Sequence, residues 1–145
     1  MSTTGFNFKA LRKDLNIYIN AFQIADRLGG LIGAKLISIN ETEAVYQYTV
    51  TPEHYNPNGI LHGGALFTAM DSCQGALMHY IVAEEFSRTV SGTATIRFEA
   101  PVLSGMISIR TTVNRREGRK YFVDSIATQD TKVIAKLEEV WIAIK

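Results

Sequence analysis

The chain has one cysteine, Cys73, so no intrachain disulfide can staple it, and it suits a reducing compartment. An excess of charge of one sign is also missing. The net charge is +1, which gives no argument for nucleic acid or an anionic membrane as the main partner. No uninterrupted apolar run approaches the roughly 20 residues that a membrane span needs. Met1 to Lys13 is polar and mixed, without the apolar centre of a secretion signal. There is no internal repeat, low-complexity tract or linker. His54, His62 and His79 lack a recognisable zinc spacing, and no glycine-rich nucleotide loop is present. What remains is the expectation of a single soluble, cytoplasmic domain over residues 1–145.

The apolar fraction, 46%, is ordinary for a globular core. Leu15, Ile19, Phe22, Ala25 and Leu28 recur at helical spacing and predict one short helix over 14–28, stopped by Gly29-Gly30. Residues 32–39 and 43–50 read as a β-hairpin around Asn40-Glu41-Thr42. A long loop, 51–63, contains two prolines, and loops of that length inside compact domains are often functional. Residues 64–82 are apolar almost all round the helical wheel, as in a helix enclosed by other structure. Four strand-like segments follow, about 89–100, 104–115, 119–129 and 132–144, although Ile134 to Glu139 also fits a helix. This order predicts an α+β fold in which a curved antiparallel sheet wraps around a long central helix.

The chemistry concentrates in Asn56-Pro57-Asn58-Gly59-Ile60-Leu61-His62-Gly63-Gly64, with Asp71 downstream. Glycine at a helix start leaves backbone N–H groups open to a ligand oxygen. An acid on a buried helix is costly unless it is paired or used. Taken singly, Gly63-Gly64 could be a tight turn, His62 a cap, Asn56 a turn former and Asp71 an acid on a less buried stripe. Their order ahead of an enclosed helix is what points to an oxyanion site and a base. Cys73, on the same helix with no partner nearby in sequence, reads as inert.

Asn56-x-x-Gly59-x-x-His62-Gly63-Gly64 followed by Asp71 resembles the active-site segment of the hotdog-fold acyl-CoA thioesterases, in the phenylacetic acid degradation (PaaI-like) branch. The likeness extends through Leu28-Gly29, Pro52-Glu53-His54, Ile96-Arg97-Phe98 and Pro101-Val102. It implies hydrolysis of an acyl-CoA to a carboxylic acid and CoA without any cofactor. In that scheme the Gly63 N–H polarises the thioester carbonyl, Asn56 assists there, His62 supports the loop, and Asp71 activates water. A hydroxyl on the next strand would hold the water. Ser91 matches best, yet strict alternation puts it opposite Ile96 and Phe98. A bulge at Gly92 would reverse that, and Thr89 and Thr93 are alternatives. Gly64 and the basic cluster Arg115, Arg116, Arg119 and Lys120 are candidates for holding substrate and the CoA phosphates, with Arg88 and Arg97 further off. The cluster is equally well a solvated hairpin tip. Phe67, Met70, Gln74 and Met78 would line an acyl pocket or belong to the core.

Asp71 lies eight residues beyond Gly63, about 12 Å along one helix. A carbonyl donor and a base acting on one carbon must each reach it within roughly 3 Å. Two antiparallel helices related by a two-fold axis would meet that need. The expectation is a homodimer with two sites at its interface, and a dimer of dimers by family habit. A module that binds acyl-CoA without hydrolysing it is the alternative from another class.

Overall fold

The computed structural model describes residues 7–145. The first six residues of the stretch read as a polar N-terminal segment lie outside the described residues.

Three short helices come first: α1 (Phe8–Leu11), α2 (Leu15–Ala25) and α3 (Arg27–Leu31). The single helix expected over 14–28 is therefore two. Asp26 breaks it by leaving helical geometry, at φ −83 and ψ 79, and its carboxylate accepts from the Gly29 N–H at 3.2 Å to start α3. Gly29-Gly30 lies inside α3 rather than stopping a helix. A Cβ at Gly29 would run into Asp26 and come within 3.0 Å of Ser72 on the central helix, so its bareness serves close packing.

The strands are β1 (Ala34–Ile39), β2 (Glu43–Val50), β3 (Arg88–Phe98), β4 (Gly105–Glu117), β5 (Lys120–Gln129) and β6 (Lys132–Ile144). They form one sheet in the order β1-β2-β4-β5-β6-β3, with every neighbouring pair antiparallel. Ile134 to Glu139 is strand. Its inward positions alternate down β6 as Ala135, Leu137, Glu139, Trp141 and Ala143, all buried.

The long helix α4 (Gly63–Val82) is held in the sheet's concave face. Twelve of its residues are buried, which accounts for its lack of a polar stripe. Met70, Gln74 and Met78 have no exposed surface, so they belong to the core rather than to an acyl pocket. Gln74 pins the helix to the sheet. Its Oε1 accepts from Trp141 Nε1 at 2.8 Å, and its Nε2 donates to Ser125 Oγ at 2.9 Å and to the Val123 and Leu137 carbonyls. Gln74→Leu would strand the indole N–H in the core. We expect a loss of about 2–4 kcal/mol in a urea melt, since several buried groups lose partners together.

The sheet has two edges. β1 is packed against α2 and α3, whereas β3 is exposed along nearly all its length, Val90 and Phe98 included. An open edge of eleven residues with apolar side chains is a template for strand addition.

Candidate active site

The loop before α4 is anchored at several points. Pro52–His54 forms a 3-10 turn, and Tyr55 bridges to Leu61. The Leu61 N–H reaches the Val102 carbonyl and the His62 N–H the His54 carbonyl, both at 2.8 Å. His54 itself is tied to the Tyr48 hydroxyl through Nδ1 at 2.6 Å. Gly59, at φ +75, makes the turn that a side chain would strain.

Asn56 closes that turn with its side-chain oxygen, which accepts from the Asn58 N–H at 2.9 Å and the Ile60 N–H at 3.4 Å. This fixes which way the amide points. Its NH2 has no partner among the described residues. His62 caps α4, accepting the Gly64 N–H on Nδ1 at 2.8 Å, so its other ring nitrogen carries the proton in the neutral form. A Cβ on Gly64 would press within 2.9 Å of that ring. The cap occupies the Gly64 N–H, leaving the one at Gly63 without a partner among the described residues.

Asn56 and Gly63 line one cleft of about 360 Å³, together with Ile60, Leu66, Phe98 and Pro101. Two open N–H donors, one a side-chain amide and one at the positive end of a 20-residue helix, suit an oxygen that gains negative charge. Phe98 rests against Gly63, where a built Cβ would be 2.8 Å from its Cζ.

Asp71 is partly buried on α4 and is not among the residues of that cleft. It belongs to a second group. Ser91 Oγ on β3 donates to Glu139 Oε1 on β6 at 2.6 Å, and the Glu139 and Asp71 carboxyls act on each other's ionisation. Burial lifts the Asp71 carboxyl above its ordinary value, the bond to Glu139 draws it back down, and the Asp26 carboxylate pushes it up. Glu139 is 3% exposed, and burial pushes its carboxyl up to about 8. The Ser91 bond opposes that rise and Asp71 adds to it.

Ser91 therefore faces the helix, against strict alternation. The pairing with β6 shifts between Ser91 and Thr93, so Gly92 is an extra residue in β3. Ser91 opposes inward Trp141, and past the bulge Ala94 opposes inward Glu139 and Ile96 opposes inward Leu137. Thr89 also faces inward, but its hydroxyl is taken by the Ile142 carbonyl at 3.0 Å. Glu139 was missed in the sequence, because its segment was open between helix and strand and its facing depended on that choice.

The basic cluster lies elsewhere, around the β4–β5 turn and the far end of α4. Arg115 pairs with Glu117 at 2.6 Å and covers Phe122, while Arg116 holds Glu85 at 3.0 Å beside Phe86 and Tyr121. Arg119 and Lys120 have no side-chain partner among the described residues. Cys73 is fully buried, and burial pushes its thiol up to about 12, so it stays protonated. No group of three or more His, Cys, Asp or Glu among the described residues is placed to hold a metal ion.

Residues 58–135 match the family model of the thioesterase superfamily, more than half of the chain. Solved structures share the architecture. The mutant thioesterase PA1618 from Pseudomonas aeruginosa superposes with a TM-score of 0.81 at 18% identity, covering 90% of this chain and 94% of that one. The PaaI protein of the E. coli phenylacetic acid degradation operon gives 0.79 at 23%, covering 87% and 90%. The conserved protein PA5202 of Pseudomonas aeruginosa gives 0.77 at 22%, covering 81% and 94%. Identities this low establish the shared hotdog fold. No curated protein is significantly similar in sequence.

Proposed function

The chain belongs to the thioesterase superfamily, and from that premise we propose that it hydrolyses acyl-CoA thioesters at sites shared between two subunits. The observation that carries this reading is the division of the site residues into two groups. Asn56 and Gly63 offer open donors at one end of α4, and Asp71 with Ser91 and Glu139 forms a carboxylate group about 12 Å further on. In one chain these cannot meet on one carbonyl carbon. Two chains joined through the open β3 edge, with their α4 helices antiparallel, would bring the donors of one to the base of the other.

The thioester oxygen then lies against the Gly63 N–H and the Asn56 amide. Asp71 takes a proton from water as the water oxygen bonds to the carbonyl carbon. The tetrahedral oxyanion collapses, the C–S bond breaks, and the proton passes to the departing sulfur. The products are a carboxylic acid and CoA thiol. No step requires a metal or redox group. Within the basic cluster, Arg119 and Lys120 are open to the CoA phosphates, whereas Arg115 and Arg116 would first have to leave Glu117 and Glu85. We place the protein in the PaaI-like branch, as a cytoplasmic homodimer that associates further into a dimer of dimers. No helix among the described residues is long and apolar enough to cross a membrane.

A panel of acyl-CoAs varying in chain length and aromaticity, read by free-thiol release, tests the reaction. Turnover of at least one member is expected, together with a dimer or larger species in sedimentation. Tight binding with no thiol released over hours would assign a non-catalytic binding module instead.

A further inference from the structure

Glu139 stands outside the segment matched by the thioesterase family model, and a buried acid facing another acid needs a reason. We propose that Glu139 is a positioning residue for Asp71: with Ser91 it forms a Ser91–Glu139–Asp71 chain centred on the buried Glu139, in which one proton, held between the two carboxyls, aims the base. The proposal rests on Asp71 acting as the base of the thioester reaction.

The geometry is specific. Glu139 Oε1 is occupied by the Ser91 hydroxyl at 2.6 Å, while Oε2 is buried with no donor among the described residues. Two carboxyl groups hydrogen-bond only through a proton. A protonated Glu139 supplies it, accepting from Ser91 and donating to Asp71, so the Asp71 carboxylate is fixed with its remaining lone pairs toward water. The bulge at Gly92 delivers Ser91 to this face, and the inward register of β6 delivers Glu139. The groups acting on the pair are Asp26 from the α2–α3 junction, Ser91 from β3, and Tyr46 from β2, whose phenol feels Asp71. None is a cation, so among the described residues no positive charge offsets a second negative one.

The pair therefore works as a monoanion. Acid protonates Asp71 and stops the base. Alkali removes the shared proton near pH 8, where Glu139 titrates, and leaves two carboxylates pushing apart. A bell-shaped profile of kcat/KM follows, with its alkaline limb belonging to Glu139.

Glu139→Gln and Glu139→Leu separate positioning from packing. The glutamine accepts from Ser91 and donates to Asp71 at every pH, so the alkaline limb near pH 8 should vanish. The leucine fills the space but cannot aim the base. We expect kcat to fall about tenfold or more relative to the glutamine variant, with KM little changed, as for a lost orienting contact. An alkaline limb unchanged in Glu139→Gln, or equal kcat in the two variants, would overturn the proposal. A second readout needs no turnover. The folded protein holds a proton that the unfolded chain gives up in the ordinary carboxylate range, so stability should fall as pH rises from that range toward about 8. Glu139→Gln should flatten that fall in thermal melts, and Asp71→Asn should shift the Glu139 titration seen by carbon NMR. If Glu139 titrates as an ordinary carboxyl, the shared proton does not exist, whatever the enzyme hydrolyses. If no acyl-CoA is turned over but Glu139 titrates near 8, the reaction assignment fails while the proton-sharing pair stands.

Discussion

Asp71→Asn should reduce thioester hydrolysis by about 10²–10⁴-fold, the range associated with loss of a positioned general base. The amide has the size of the carboxylate but cannot take a proton from water. Burial raises the Asp71 carboxyl and Glu139 is its neighbour, so removing the charge relieves rather than strains the fold. Thermal stability and oligomeric state should stay at wild-type values or rise. In the wild type, the acid limb of the rate should lie above the ordinary aspartate range, because burial favours the protonated form. Measured on the best acyl-CoA of the panel, a variant within a few-fold of wild type would remove Asp71 from the mechanism.

Gly63→Pro should cost about 10²–10³-fold in kcat, the scale of one lost oxyanion donor. Proline is suited to the first position of a helix and lacks only the N–H. His62 already sits at φ −64 and ψ 128, the extended conformation that a residue before proline adopts. The added ring meets Phe98, which is 52% exposed and has room to swing. The larger result comes from mixing. Neither variant works alone, but a heterodimer of Asp71→Asn with Gly63→Pro contains one intact site if base and donor come from different chains. Refolding the two together at equal amounts should restore about a quarter of wild-type sites, as random pairing requires. Differently tagged subunits would establish that heterodimers form. If they do and activity stays absent, donor and base act within one chain.

Much of this was legible in the sequence because it was written as periodicity. The all-round apolar content of residues 64–82 required an enclosing sheet, and α4 has one. The hairpin around Asn40 was fixed by turn chemistry, with Asn40 Oδ1 accepting from Thr42 and Glu43. The α2–α3 break was not legible, since Asp26 continues a helical pattern and only its capping bond to Gly29 reveals the stop. Open N–H groups at the start of α4 followed from glycine at a helix start, whereas the choice of Gly63 and the Asn56 amide came only with the family resemblance. The carboxyl pair did not, because it depends on which way β6 faces and on pairing between distant strands, neither of which a local pattern carries.

Gly92 adds a single residue to β3 and thereby makes the two halves of the strand answer to different demands. Beyond it, Ala94, Ile96 and Phe98 keep step with the apolar layer. Before it, Thr89 and Ser91 keep step with the polar chemistry, although both sets face the same side. Were Gly92 paired in line instead of bulged, Ser91 would turn toward the outer face while Ile96 stayed in place. The same hydroxyl would remain in the sequence and be lost to the reaction. Chemical identity at that position therefore means little without strand parity, and a comparison of such chains that counts residues but not bulges will pair hydroxyls that point in opposite directions.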